Sequence, residues 1–313
     1  MKITNNYGLP DPIVRAIQRD TYTRGRAQIS VTELMDSPRI RLLKNQHGAN
    51  LEVDASDQIW TLLGRAIHLL LEQMAKSEFD AAEHRFFLKT DVGGWVLSGG
   101  VDLYTSGDEL VITDYKFTTA RQVMYPKAQW EQQLNVYRYL LYKSKGLLAD
   151  RLQICAIVRD YMKAKSTRHD HPDKPIVLVD IPTWNEDRCE AWISERMKLH
   201  FTAERGWFFS DEMPPCTDDE RWMRTATYGV YKVGGKRVVK NGAFKSHDEA
   251  HAFLAEKVRG EEGKKKPDQF EIRTKPAEPV RCVSYCPVSD YCSQWQAEKH
   301  LYEVKDDDTE ETD

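Results

Sequence analysis

Nowhere does an apolar run approach the roughly 18 residues needed to cross a bilayer. The start of the chain has neither a basic-then-apolar leader nor the character of a transit peptide. These absences exclude a membrane-spanning reading and set the expectation of a cytoplasmic protein with no membrane partner. Excess charge of one sign is missing too: 45 Lys and Arg stand against 49 Asp and Glu, a net charge of −4. No global basic field advertises a nucleic-acid partner, so local patches must do so. Cysteine is sparse and uneven. The chain has six, three of them at positions 282, 286 and 292, and in a reducing compartment they point to metal ligation or buried thiols rather than disulfides. What remains is a globular composition, 41% hydrophobic and 30% charged over 313 residues, enough for one large domain or two unequal ones.

The stretch from Gly99 to Lys116 organises the rest. It reads as two strands joined by a polar turn at Thr105-Ser106-Gly107-Asp108, with Leu110, Val111 and Ile112 packing the second strand. Alternation along a strand puts Asp114 and Lys116 on one face and turns Tyr115 away. A hairpin here sets Asp102 beside Asp114. Two carboxylates and a lysine converging at one end of an apolar ladder suit a hard divalent cation, whose retained waters can attack a phosphate. An isolated Asp-x-Lys equally describes solvated turn charges, so the motif needs company.

Along the chain, residues 1–29 read as a loosely packed lead-in. Ser30-Val31-Thr32-Glu33-Leu34 reads as a helix start capped by Ser30 or Thr32 and stopping before Pro38, followed by the basic Arg39, Arg41 and Lys44. A helix over about 57–76 puts Gly64, His68 and Glu72 on one face, with Leu62, Leu63, Ile67, Leu70, Leu71 and Met74 filling the remainder. Strands follow at 85–90, 95–104 and 109–117. Next come an amphipathic helix over 127–144 carrying Gln133 and Tyr137 one turn apart, strands at 152–158 and 176–181, and a helix over 185–205. After Pro214-Pro215-Cys216 a hairpin (228–232 and 237–240) and a helix (246–258) read as a small inserted module, about 225–260. The residues 296–313 end in an acidic tail expected to be disordered.

The set Gly64-x3-His68, Gly99-x2-Asp102, Asp114-Tyr115-Lys116 and Gln133-Leu134-x2-Tyr137 resembles, in order and spacing, the RecB-like branch of the PD-(D/E)xK nuclease superfamily. Cys282-x3-Cys286-Pro-x4-Cys292 resembles the C-terminal cysteines of its iron–sulfur members, the CRISPR-associated and AddB-type exonucleases, and the whole looks most like phage-borne exonucleases of that kind. The resemblance implies an α/β fold: a restriction-endonuclease-like core over 30–213, a mixed central sheet flanked by helices. It adds a cysteine-cluster region over 214–295 containing the α+β insertion. It further implies a metal-dependent DNA exonuclease, in host cytoplasm if phage-encoded, acting in recombination, repair or replication on a free end or single strand. A recombinase, helicase or single-strand-binding protein would be the partner. By the same resemblance Asp102 and Asp114 bind Mg²⁺ or Mn²⁺, with His68 and the Tyr115 carbonyl completing the set; Lys116 steadies developing charge, and Gln133 and Tyr137 support the site. Arg39, Arg41, Lys44 and the hairpin cations Lys232, Lys236, Arg237 and Lys240 are candidate phosphate contacts, and Trp130, Tyr137, Trp222 and Tyr231 candidate stacking residues. The rival reading is a catalytically silent or partner-dependent DNA-binding or assembly protein of the same fold.

A structural Zn²⁺ or an iron–sulfur cluster wants four thiolates, or a histidine in place of one. Cys282, Cys286 and Cys292 supply three. The family's fourth cysteine sits near the N-terminus, where this chain has Ser37. Cys216 is the substitute choice, because its Pro-Pro-Cys turn opens the segment that returns to Cys282. The resemblance implies [4Fe–4S]; spacing alone leaves structural Zn²⁺ open. Cys155 and Cys189 read as ordinary buried thiols.

Overall fold

The structure is a computed structural model that describes residues 1–19, 23–75, 80–210, 212–259 and 269–302. The expected acidic tail from Lys305 and the Lys264-Lys265-Lys266 run lie outside the described residues. The chain forms two compact units, Met1–Pro214 and Pro215–Asp313. No helix among the described residues is long and apolar enough to cross a membrane.

The first unit runs β1 (Lys2–Thr4), α1 (Asp11–Gln18), β2 (Ile29–Ser30), α2 (Val31–Met35), α3 (Pro38–His47), β3 (Glu52–Asp54), α4 (Ile59–Met74), β4 (Asp80–Lys89), β5 (Val96–Ser106), β6 (Leu110–Thr118), α5 (Ala120–Met124), α6 (Ala128–Lys145), β7 (Arg151–Val158), β8 (Ile176–Ile181) and α7 (Glu186–Ser210). Its central sheet has the order β2-β5-β6-β7-β8, with β4 also on β5. β2–β5 and β6–β7 are parallel; β4–β5, β5–β6 and β7–β8 are antiparallel. The sheet is therefore mixed and helix-flanked, and α6 provides the crossover that a parallel β6–β7 pair requires.

The core lies where α6 and α7 cover the sheet: Leu134, Leu140 and Leu141 of α6, Leu97 and Ile112 of the sheet and Met197 of α7 are fully enclosed. Emptying one such leucine to alanine costs about 2–5 kcal/mol. The polar exception is Asn135, buried on α6. Its amide donates to Glu131 O and Pro182 O, and its oxygen accepts the Trp184 amide at 2.6 Å, so every partner is satisfied. Gly99 has a packing reason as well. A Cβ there would lie 2.7 Å from Leu140 Cδ1 and 3.0 Å from the Tyr137 ring, so the glycine lets α6 seat directly on β5.

The structure corrects several expectations. The described part of residues 1–19 is tied down rather than loosely packed: β1 pairs with β3, and Arg65 of α4 donates to the carbonyls of Ala16, Ile17 and Arg19 at the end of α1. Ser30, not Thr32, caps α2, in a reciprocal capping box with Glu33. Arg39 and Arg41 are buried and hold the protein together rather than facing phosphate. Arg39 donates to the carbonyls of Met213 and Pro214, while Arg41 donates to His200 Nδ1 and pairs with Glu204 at 2.7 Å. Lys44 lies 3.7 Å from Asp36. Trp130 is enclosed in the core and presents no ring for stacking. Conversely α4 has no buried residue, and Leu63, Leu70 and Met74 are exposed, because the helix rests on one end of β5–β6 rather than against a full layer.

The second unit runs β9 (Met223–Arg224), β10 (Thr227–Lys232), β11 (Val238–Phe244), α8 (His247–Arg259), β12 (Phe270–Lys275), β13 (Glu278–Pro279), α9 (Val280–Ser284) and α10 (Ser293–Glu298). The expected hairpin and helix are joined by a strand the sequence did not announce: β12 pairs antiparallel with β10 to give the sheet β11-β10-β12. α10 and a short turn over Lys299–Leu301 also make the tail helical as far as 301.

Candidate active site

The site arises from how β5 shares its edges. β4 pairs along one edge from residue 80 to 89. On the other edge β2 takes Leu97 and Ser98, and β6 takes Leu103 to Ser106. Residues 99–102, Gly-Gly-Val-Asp, are left with no ladder partner on that edge among the described residues, and the sheet forks there. Extending the β5–β6 register one step sets Asp102 opposite Asp114. At that point the side chain takes over from the ladder: Asp102 Oδ2 accepts the Tyr115 amide at 2.8 Å.

Three further groups close on the fork. His68, from α4, has Nε2 3.1 Å from the Tyr115 carbonyl and Nδ1 3.5 Å from Asp102 Oδ2. Its ring meets the Tyr115 ring edge-on at 6.0 Å. Asp114, nearly inaccessible, and Lys116 alternate with Tyr115 along β6, with Lys116 Nζ 2.6 Å from Asp114 Oδ2. That ammonium is the ion-pair partner of Asp114 Oδ2 among the described residues. A buried carboxylate paired with one ammonium keeps lone pairs for a further cationic partner.

The electrostatics lean the same way. Burial and the neighbouring Asp114 charge push the Asp102 carboxyl up to about 7, against the opposing pull of His68, the Tyr115 amide and Lys116. Two carboxylates gathered out of water repel, and a proton or a cation relieves them. His68 Nε2 and the Tyr115 carbonyl, 3.1 Å apart, are spaced like two adjacent donors of an octahedral cation with bonds of about 2.1 Å. The donor set at the fork, two carboxylates, a carbonyl and an imidazole, therefore fits Mg²⁺ or Mn²⁺. Among the described residues no three His, Cys, Asp or Glu side chains are already drawn into a metal-holding group. The fit is one of donor chemistry and proximity.

The fork opens into a cavity of about 960 Å³ whose wall includes His68, Asp102, Gly64, Tyr137, Ser30 and Arg85. A Cβ on Gly64 would meet nothing within 4 Å, so that turn of α4 stands open to the cavity. Gln133 Nε2 donates to Tyr137 Oη at 2.8 Å, which fixes the two α6 side chains as a unit. Glu72 lines the same cavity but is exposed. Sequence reasoning missed Arg85. It lies over Gly100, where a Cβ would come within 3.3 Å of Nη2, and brings a guanidinium to the cavity wall. A strand arginine opposite a glycine has no period to betray it; only the pairing register joins the two.

The six cysteines divide between the units. In the second, Cys282, Cys286 and Cys292 are free thiols, as is Cys216. Cys286 is pushed up by burial, and Cys282 and Cys292 are near enough to act on it electrostatically. Gln294 clasps the backbone of Cys216 on both sides, accepting from its amide at 2.8 Å and donating to its carbonyl at 3.1 Å. The chain thus ties Cys216 to the helix that follows Cys292, without arranging the four thiols as a metal-holding group among the described residues. In the first unit, burial pushes Cys189 up to about 12 and raises Cys155, and Cys189 donates to Asn135 O; both are plain structural thiols.

The model of the PD-(D/E)XK nuclease superfamily matches residues 45–293, a span that holds His68, Asp102, Asp114, Lys116 and the three clustered cysteines. Among curated proteins none matches the chain. The crystal structure of SSO0001 is 19% identical, covering 60% of this chain and 84% of its own, with a TM-score of 0.43, a likeness too distant to bear on function. With the family model spanning most of the chain and a helix-flanked mixed sheet beneath it, the chain belongs to the PD-(D/E)XK nuclease superfamily.

Proposed function

We propose that the protein is a metal-dependent DNA exonuclease of the RecB-like type, with its centre at the β5–β6 fork. The carrying observation is the buried Asp102–Asp114 pair, held by the Lys116 ammonium, beside the imidazole of His68 and the carbonyl of Tyr115. Asp102, Asp114, His68 Nε2 and Tyr115 O would hold Mg²⁺ or Mn²⁺. The bound ion supplies Lewis acidity toward the phosphoryl oxygens and lowers the pKa of a water. Lys116, anchored by Asp114, places its ammonium where negative charge develops on the phosphate, and such a fixed donor contributes about 10²–10³ in rate. The Gln133–Tyr137 unit and Arg85 orient the substrate strand along the cavity. A free DNA end is the expected substrate.

End-labelled DNA with Mg²⁺ or Mn²⁺ tests this reading. The wild-type protein shortens the strand from its end, and Asp114→Ala and Lys116→Ala lose at least about a hundredfold in rate. Activity that survives both substitutions contradicts the assignment.

The cysteines carry the second part of the reading: Cys216, Cys282, Cys286 and Cys292 close around a [4Fe–4S] cluster, with structural Zn²⁺ as the alternative. What supports it is the electrostatic proximity of three free thiols and the Gln294 clasp on the fourth residue. An anaerobic preparation that is brown, with broad absorption near 400 nm and stoichiometric iron, is the expected result. A colourless protein with one zinc favours structural Zn²⁺.

One observation favours the rival, a partner-dependent or silent DNA-binding protein: the described residues hold no ready three-donor metal group. Binding without cleavage under every divalent metal would establish it.

A further inference from the structure

Two of the cations on α3 that suggested phosphate contact are committed elsewhere: Arg39 and Arg41 are buried in packing. The guanidiniums that do reach the cavity of the fork come from other elements of the same unit. Its wall includes Arg15 and Arg19 at the end of α1, Arg65 of α4 and Arg85 of β4, against two acids, Asp102 and Glu72. Arg85 stands over Gly100 beside the fork. The other three arginines belong together.

Arg65 turns its guanidinium onto the last carbonyls of α1, donating to Ala16 O at 3.3 Å, Ile17 O at 3.1 Å and Arg19 O at 3.0 Å. A cation is favoured at a helix C-terminus, and Ile17 of the same turn is buried. α1 is thereby fastened to the helix that carries His68. Arg15 and Arg19 are left for another use. They lie four residues apart, and the Arg19 amide donates to the Arg15 carbonyl at 3.0 Å. One helical turn therefore sets both side chains on the same face, with Cβ atoms about 5–6 Å apart. Both are exposed and line the cavity, and neither meets an acid among the described residues.

In the proposed reaction the scissile phosphate sits at the fork, where the bound cation and Lys116 answer its charge. The neighbouring phosphates of the same strand enter the same cavity with charges of their own. Guanidinium groups match phosphate oxygens with paired N–H donors and stay charged at every working pH. We propose that Arg15 and Arg19 hold phosphates next to the scissile one on the substrate strand, which makes α1 a positioning arm of the nuclease centre. This deepens the reading of the chain as a DNA nuclease and rests on it, because that reading puts a strand in the cavity. The arm acts on binding rather than on bond breaking, since ground state and transition state carry the neighbouring phosphates alike.

The test uses the full-length protein and a short single-stranded oligonucleotide, a probe slim enough for a cavity of about 960 Å³. In Mn²⁺, replacing Arg15 and Arg19 together by alanine should raise KM at least about tenfold and leave kcat within about twofold, the mark of lost uniform binding. In EDTA the same variant should bind the fluorescent strand at least about tenfold more weakly, with a log–log salt slope smaller by about 1.4, near 0.7 for each phosphate no longer neutralised. A companion with both arginines changed to lysine should recover most of the affinity and the slope, which separates the removal of charge from a failure to fold. An alanine variant with unchanged KM and unchanged strand affinity overturns the proposal. So does one whose kcat falls while KM holds, since the pair would then act on the chemistry. A wild-type protein that binds the strand through Arg15 and Arg19 yet cuts nothing in Mn²⁺ overturns the nuclease reading and upholds the arm as a strand contact.

Discussion

At the scale of single residues, the fork separates holding a cation from using it. Asp114 is buried at the fork, whereas Lys116, its ion-pair partner, is partly exposed. A ligand that binds only the folded state at a hundred times its Kd adds about 2.7 kcal/mol of stability. For a unit of this size that is a rise in Tm of roughly 5–10 °C. Saturating Mn²⁺ is therefore expected to raise the Tm of the wild type and of Lys116→Ala, while Asp114→Asn loses the shift; differential scanning calorimetry with and without EDTA reads all three. Cleavage should be abolished in both variants. A Lys116→Ala protein that neither cuts nor gains stability from Mn²⁺ would show the lysine to be structural. Asp102, Asp114, Lys116 and His68 were legible in the sequence because each carries a chemistry-bearing side chain at strand or helix spacing. Arg85 was not, because its place over Gly100 depends on strand register, which no local pattern encodes.

At the scale of elements, α2, α3 and α7 meet at His200, and the hydrogen bonds fix its tautomer. Arg41 Nε can only donate, so His200 Nδ1 accepts and the ring's Nε2–H donates to Leu34 O at 3.2 Å. Burial, with Arg41 and Arg196 nearby, holds the ring down to about 3. Between pH 6.5 and 3 the unfolded chain takes up a proton here that the folded chain refuses. Stability should therefore fall as pH drops through that window, by up to about 1.4 kcal/mol per pH unit. Urea denaturation of His200→Gln, which can keep both hydrogen bonds, should show a slope shallower by close to one proton between pH 6 and 4. An unchanged slope would mean the ring titrates normally. Gly99 makes the parallel case for α6: Gly99→Ala drives a methyl group into Leu140 and the Tyr137 ring, and overpacking of this kind costs about 1–3 kcal/mol, with cleavage reduced as Tyr137 is displaced. Helix and strand positions were largely readable from their periods. The burial of Arg39 and Arg41 was not: a basic run on a short helix looks like a phosphate-binding face until α7 supplies His200 and Glu204 and the chain beyond it supplies the Met213 and Pro214 carbonyls, all far away in sequence.

At the scale of the molecule, the fork and the clustered cysteines fall in separate compact units, 1–214 and 215–313. Each has its own buried core, one centred on Leu134, Leu140 and Ile154 and the other on Val230 and Phe270. Calorimetry is expected to resolve two transitions. Leu134→Ala should lower one and Val230→Ala the other; a single transition lowered equally by both would show the units to be one cooperative body. The sequence announced the change of character at Pro214-Pro215-Cys216, yet β12 and the Gln294 clasp on Cys216 come from long-range pairing and were invisible in it. The proposed chemistry nevertheless stands or falls with the fork in the first unit. The most direct test is a crystal of the full chain soaked in Mn²⁺ and measured at the manganese absorption edge. The predicted result is an anomalous peak about 2.2 Å from carboxylate oxygens of both Asp102 and Asp114, with His68 Nε2 or Tyr115 O also in its coordination. Manganese bound elsewhere while this fork stays empty at millimolar ion would contradict it.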